Sequence, residues 1–241
     1  MTSIQTLIPI ARRQLVVTGA NGEADVWLWE HTQRVALLAE TLCAAPELAD
    51  TPPDRTVVRI AALFSNVGWA QQVQQGQIPA WQALGRPTNE LQREAAIGAL
   101  REAGEKVLDA ETLATASETI RQSGDRYTNL PEAQVLSDAE NLADIGFCYF
   151  LRQYRRYRAE GRSTADLIAS WNRQREYQYW DARINEGLRF ELSRRAARER
   201  LAALDRLLAV VAHELDAGDV RKTFQDAGVE LADSDLDFDV R

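Results

Sequence analysis

Hydrophobic residues recur along almost the whole chain with the three- and four-residue spacing of amphipathic helices. At the N-terminus this spacing is followed by Ile4, Leu7, Ile8, Ala11 and Leu15. Further helices are predicted over residues 26–42, 57–64, 89–103, 109–122, 132–158, 164–180 and 185–216. No segment alternates polar and apolar residues convincingly enough to compete as a strand, and no internal repeat is present. The pattern predicts an all-α fold, a single-domain helical bundle.

Glycine, proline and acidic positions divide the chain into three predicted parts. Residues 1–23 form an N-terminal helix and turn in which Gly19 ends the helix, and residues 24–216 form the helical domain. Within that domain we expect Gly68 to end the third helix and the glutamine-rich residues 71–82 to form a loop. Residues 217–241 are an acidic C-terminal tail with few core residues, which we expect to be partly disordered.

One glycine motif near the N-terminus needs a separate interpretation. Residues 15–22 (LVVTGANG) look like the strand and glycine turn that open a dinucleotide-binding fold. The third glycine is missing, because Glu23 and Ala24 follow, and no alternation of strands and helices comes after it. We therefore do not expect nucleotide binding at this turn.

Charge is distributed unevenly along the chain. The 241 residues include 28 basic and 36 acidic ones, for a net charge of −8, so we do not expect a nucleic-acid partner. Residues 151–206, however, hold 14 arginines against 8 acidic residues, interleaved with tyrosine and tryptophan. Such a region is either a solvated helical face with its aromatic side chains turned inward or a surface for a phosphorylated ligand or a homodimer.

Cysteine usage and hydropathy bear on the compartment. Cys43 and Cys148 form no CxxC motif and no plausible disulfide framework, which fits a reducing environment. The longest apolar run, residues 207–212, is far too short to cross a membrane, and residues 1–15 lack the features of a secretory signal. We expect no membrane partner and a cytoplasmic, bacterial-type location.

Three segments, in this order, resemble the motifs of the HD superfamily of metal-dependent phosphohydrolases. They are residues 29–36 (WEHTQRVA), 59–68 (RIAALFSNVG) and 135–146 (VLSDAENLADIG). Residues 192–215 resemble the long closing helix of the short stand-alone bacterial members. The resemblance covers roughly residues 24–216 and implies an HD-domain-like helical bundle.

The resemblance also implies a divalent metal held by two histidines and two aspartates. His31 matches the first ligand and Asp138 the last, but Ser65 and Asn66 stand where the family has its adjacent His-Asp pair. A serine hydroxyl and a neutral amide are poor replacements for an imidazole and a carboxylate. We therefore expect no cofactor and no catalytic residue; with Arg34, these four residues form a remnant pocket.

Other acidic residues could restore a metal site only if the fold brings them to His31 and Asp138. The candidate oxygen donors are Glu30, Glu94, Glu140 and Asp144, and the second histidine, His213, is predicted to face solvent. A divalent metal is expected only in such a reorganised site.

Structural roles would also explain several of these residues. Arg34 follows Glu30 by four residues, which suits an ion pair on a helix surface, and His31 could be a partly buried helix histidine. Residues 137–140 (SDAE) have the form of a capping box, which would place Asp138 at a helix start. Ser65 and Asn66 would serve equally well to terminate a helix.

These observations favour a degenerate HD-domain protein that binds, regulates or assembles without catalysing a reaction, with a small phosphorylated molecule as its ligand. One alternative is a metal-dependent phosphohydrolase that acts on a nucleotide or other phosphate ester with a reorganised site. A second alternative is a helical protein that interacts with copies of itself.

Overall fold

The computed structural model describes residues 3–19 and 21–231, and within them the fold is all-α, as predicted. The helices are α1 (Ser3–Leu15), α2 (Trp27–Leu42), α3 (Arg55–Phe64), α4 (Val67–Gln74), α5 (Glu90–Gly104), α6 (Ala110–Gln122), α7 (Pro131–Ala143), α8 (Phe147–Ala159), α9 (Thr164–Glu176), α10 (Tyr179–Gly187), α11 (Glu191–Leu215) and α12 (Gly218–Asp226). Short 3-10 helices cover Pro46–Leu48 and Ala80–Gln82. None of the described helices is long and apolar enough to cross a bilayer.

Side-chain caps fix the beginnings of several helices. The Asp54 carboxylate accepts hydrogen bonds from the backbone N–H groups of Thr56 and Val57 at the start of α3. Asn89 and Ser163 form capping boxes at the starts of α5 and α9. These starts lie close to the predicted ones because cap chemistry depends on local sequence alone.

Two hydrophobic clusters organise the bundle. The larger one is built mainly by α1 to α7 and includes the fully buried Phe64 and Trp69. The second joins the end of α7 to α9, α10 and α11 around Trp171 and Trp180. Within the first cluster, α2 packs against both α3 and α7. This packing brings the three segments of the HD-like resemblance together.

The predicted helix over residues 132–158 is two helices. The chain turns at Gly146, whose φ of +95° is a left-handed conformation that favours glycine. A Cβ at this position would lie 2.8 Å from Cβ of Arg200 on α11, so the glycine also permits a close approach. The predicted helix over 164–180 breaks similarly, at Gln178, which has a φ of +53°.

Gly68 does not end a helix, contrary to the sequence interpretation. It lies inside α4, which extends into the segment predicted as a glutamine-rich loop. A Cβ at Gly68 would come within 2.1 Å of the Gln92 carbonyl oxygen, so the glycine allows α4 to pack directly on α5. The sequence pattern did not predict this helix, because Gly68 was interpreted as a helix end whereas it is a position of close helix packing.

The first residues of the chain also differ from expectation. Helix α1 ends at Leu15, and Gly19 lies in a small antiparallel ribbon in which β1 (Val17–Thr18) pairs with β2 (Ala24–Asp25). At the other end, α12 occupies part of the segment predicted as a partly disordered acidic tail. The rest of that prediction, over residues 232–241, falls outside the described residues.

Candidate ligand-binding cleft

A cleft of about 760 Å³ lies between the two hydrophobic clusters. His31 of α2, Asn66 at the start of α4 and Glu140 of α7 line its inner wall, together with Asp144 just after α7. Side chains of α8, α9 and α10 form the opposite wall. The structure thus brings together one predicted ligand, one position of the altered His-Asp pair and two of the candidate substitute acids.

His31 is a neutral imidazole at pH 7. Burial lowers its pKa to about 4; the positive charges of Arg34 and Arg152 add to this effect and the negative charge of Asp144 opposes it. A buried, neutral histidine can accept or donate a hydrogen bond in the cleft, but it contributes no charge there.

Ser65 and Asn66 occupy the short link between α3 and α4, and both are buried. The Asn66 Nδ2 atom donates to Thr32 Oγ1 at 3.3 Å and to Ser65 Oγ at 3.4 Å. Neither side chain caps α4, so the helix-terminating role is limited to their backbone conformations. Asn66 therefore forms a neutral, hydrogen-bonded floor of the cleft, whereas Ser65 lies behind it and does not line the cleft, contrary to the sequence interpretation.

Glu140 is the carboxyl group that faces this floor. Burial raises its pKa to about 7, while a hydrogen bond from Ser65 and the charge of Arg93 partly counteract that shift. At neutral pH the group is therefore divided between its protonated and ionised forms.

Asp144 is clamped by two arginines from the opposite wall. Its Oδ1 atom accepts a hydrogen bond from Arg152 Nη1, and its Oδ2 atom lies 3.2 Å from Arg183 Nη2. Burial alone would raise the Asp144 pKa, but the charges of Arg152 and Arg183 and, where it is protonated, of His31 lower it. The carboxylate is therefore ionised, and both of its oxygens already have cationic partners.

Asp138 is not part of the cleft, which corrects the sequence interpretation. Its fully buried carboxylate accepts hydrogen bonds from the backbone N–H groups of Arg189 (2.8 Å) and Phe190 (3.0 Å), where α11 begins. Burial raises the Asp138 pKa, and these hydrogen bonds oppose the shift. The residue also lies in the middle of α7 rather than at a helix start, because Pro131 begins the helix. Asp138 thus ties α7 to the segment immediately before α11.

Four other predicted residues also lie away from the cleft. The Arg34 guanidinium stacks over the Trp27 ring at 5.7 Å, and no ion pair with Glu30 forms within the described residues. Glu30 instead lines a separate pocket beside the β1–β2 ribbon. Glu94 pairs with Arg121 on the surface of α5 and α6, and His213 is exposed, as predicted.

The donor set of the cleft does not fit a catalytic metal ion. Among the described residues, no three His, Cys, Asp or Glu side chains converge in a way that could hold one. The inner wall offers one imidazole, a glutamic acid with its pKa near 7 and an aspartate already bonded to Arg152 and Arg183. Catalytic metal sites usually have about three protein ligands available to the ion.

The cleft is instead rich in guanidinium groups. Its described lining includes five arginines, Arg86, Arg93, Arg152, Arg156 and Arg183, and three acidic residues, Glu140, Asp144 and Glu186. The arginine-rich region over residues 151–206 supplies Arg152, Arg156 and Arg183. Arg86 and Arg93 come from the first half of the chain and were not predicted.

The aromatic residues of the arginine-rich segment divide between interior and surface. Tyr157, Trp171 and Trp180 are buried, as the solvated-face interpretation requires, whereas Tyr154 and Tyr177 are exposed. Cys43 and Cys148 are free thiols. A homodimer surface on this side of the molecule stays a prediction.

Comparison with known proteins finds one similar architecture. No family model and no curated protein matches the chain. The fold is similar to the crystal structure of a predicted HD superfamily hydrolase from an uncultured Thermotogales bacterium, with a TM-score of 0.49 and 19% sequence identity. The alignment covers 89% of this chain and 94% of that one. At this level of similarity, the chemistry of the cleft has to be argued from the residues of this chain.

Proposed function

We propose that this chain is a degenerate HD-domain protein that binds a phosphate-bearing small molecule in the central cleft without hydrolysing it. The observation that carries the proposal is the Asp144 clamp: both carboxylate oxygens are bonded to Arg152 and Arg183. A metal ion would have to displace two guanidinium groups from this partly buried carboxylate, with Ser65 and Asn66 offering no charge in return. Metal-assisted hydrolysis is therefore disfavoured.

The surplus of arginine in the cleft supports an anionic ligand. Arg93 forms no ion pair among the described residues, and its buried Nε atom has no hydrogen-bond partner. Arg86 stacks over the Trp69 ring at 5.8 Å and forms no ion pair within the described chain. Unsatisfied buried donors are rare in folded proteins, and guanidinium groups match the geometry of phosphate oxygens. We infer that Arg93 is the main anion-binding group.

Calorimetric titration with inorganic phosphate and glucose 6-phosphate tests this proposal. Arg93→Gln removes one positive charge from the cleft. As the matched control, Arg13→Gln removes one positive charge from the exposed surface of α1. We expect the dissociation constant to rise about tenfold in the first variant, the range of one charge-assisted hydrogen bond, and to stay unchanged in the control. Absence of phosphate binding to the wild type, or equal binding by wild type and Arg93→Gln, contradicts the proposal.

A phosphohydrolase with a reorganised site is the second candidate, and one observation favours it. Glu140 has a pKa near 7 in the same cleft as a neutral His31, a combination that could transfer protons at physiological pH. Turnover of p-nitrophenyl phosphate with added Mn²⁺ or Mg²⁺, lost in both Glu140→Gln and His31→Gln, would establish this candidate. We expect no turnover above background.

A further inference from the structure

A second recess of about 400 Å³ adjoins the central cleft. The two cavities share four lining residues, Gly124, Ser137, Asn141 and Glu186. They are therefore neighbouring compartments with a common wall rather than separate surface depressions. A molecule of modest size could reach from one compartment into the other.

The recess has its own excess of positive charge. It is lined by Arg126, Arg189 and Arg194, and Glu186 of the shared wall is its acidic residue among those described. Neither Arg126 nor Arg189 forms an ion pair within the described part of the chain; Arg189 Nη2 donates to the Asp125 carbonyl oxygen at 2.7 Å. Arg194 pairs with Glu191 outside the recess, at 3.2 Å. Arg126 and Arg189 thus have no salt-bridge partner in the described part of the chain, although Arg189 interacts at longer range with the charges of Asp138 and Asp125.

Arg93 stands against the shared wall from the side of the main cleft. Its guanidinium group packs directly on Gly124, where a Cβ atom would lie 2.1 Å from Nη2. The Arg93 guanidinium in the cleft is therefore separated from Arg126 and Arg189 in the recess by little more than this wall.

The wall itself is polar and suits hydroxyl groups. Asn141 Nδ2 donates both of its protons, to the carbonyl oxygens of Ser137 (3.0 Å) and Gly187 (3.1 Å), which leaves Oδ1 as an acceptor. The Glu186 carboxylate is a second acceptor. Both groups would pair with the hydroxyls of a polyol, whereas a phosphate placed directly against Glu186 would be repelled.

We propose that the two cavities together bind a small polyol bisphosphate, with one phosphate at Arg93 and the other at Arg126 and Arg189. The inference rests on the proposed function, because it assigns the first phosphate to the same cleft. It adds a second anion site and a specificity for ligands whose two phosphates are separated by a sugar-sized linker.

Titrations with glucose 1,6-bisphosphate, glucose 6-phosphate and glucose 1-phosphate at constant ionic strength test the inference. We expect the wild type to bind the bisphosphate at least about tenfold more tightly than either monophosphate, because the second phosphate binds without a separate association cost. Arg126→Gln should strongly reduce that advantage, because only Arg189 then remains for the second phosphate, and should leave monophosphate affinity unchanged. Arg126 is exposed, so the variant should fold, and Arg13→Gln serves again as the charge-matched control.

The outcomes separate the two proposals. Equal affinity for bisphosphate and monophosphates in the wild type, or an advantage that Arg126→Gln does not reduce, overturns the second site. The first site stays supported in that case if Arg93→Gln still weakens monophosphate binding. Failure of all three sugars to bind, with no effect of Arg93→Gln, overturns both. A smaller advantage of the bisphosphate in Arg126→Gln than in wild type and Arg13→Gln supports the bisphosphate site.

Discussion

Two aspartates six residues apart show how differently one charge can be used in the same fold. Asp138 lies inside α7 and bonds to two backbone N–H groups at the start of α11. Asp144 lies just after α7 and bonds to two guanidinium groups at the edge of an open cleft.

The two carboxylates differ in whether the groups bonded to them can also bind a ligand. The Asp138 carboxylate is fully buried and bonded to two backbone N–H groups, so replacing it should act mainly on stability. The arginines around Asp144 also line a cleft with surplus positive charge, so replacing it should alter both stability and anion affinity. Variants of the two residues therefore distinguish a structural cap from part of a binding site.

The largest effect is expected for Asp138→Ala. The substitution leaves two buried N–H groups at the start of α11 without acceptors, and we expect it to lower the free energy of unfolding by about 3 kcal/mol. Urea denaturation measures the loss. Asp109→Ala removes an exposed cap from α6 and serves as the control, with a clearly smaller loss. Equal losses in the two variants would contradict the role assigned to Asp138.

Asp144→Asn should have a smaller effect on stability and an additional effect on binding. We expect about 2 kcal/mol of destabilisation, below the usual value for a fully buried pair, because the cleft admits water to Arg152 and Arg183. The two released guanidinium groups should tighten phosphate binding about fivefold. Calorimetric titration measures that gain. Weaker phosphate binding in this variant would show that Asp144 itself takes part in binding, as a reorganised metal site requires.

The all-α class and many helix starts could be predicted because they depend on local sequence. Apolar spacing identifies the helices, and caps such as Asp54 and Asn89 act within three residues of their own position. The breaks at Gly146 and Gln178 could not be predicted in the same way. They lie within continuous apolar periodicity, and at Gly146 the cause is the approach of Arg200 from a distant helix.

The altered pair, Ser65 and Asn66, and its neighbour His31 could be located from sequence, but the last acidic residue of the site was misplaced. Successive helical residues advance by about 100°, so Glu140 points roughly 160° away from Asp138. Glu140 and Asp144, four positions apart, share one side, and both line the cleft. The spacing of these two acids was a usable signal. Arg93 gave none, since only the packing of α5 beside Gly124 brings it to the cleft.

Glu140→Gln should show its effect as a dependence of stability on pH. The pKa of Glu140 is about 7 in the folded chain and about 4.5 when unfolded, so the folded state binds more protons between these values. Its contribution to stability is therefore complete below about pH 4.5 and is lost as the pH rises through 7. The variant lacks this loss, so its free energy of unfolding relative to wild type should rise by about 2.5 kcal/mol from pH 5 to pH 8.

Urea denaturation of both proteins at each pH isolates this effect. His31 has a folded pKa of about 4, so its own contribution is present above about pH 6.5 and declines as the pH falls towards 4. That decline is common to wild type and variant and cancels in their difference. A difference that stays constant from pH 5 to pH 8 would mean that Glu140 is ionised throughout, and the inner wall would then carry a full second negative charge beside Asp144.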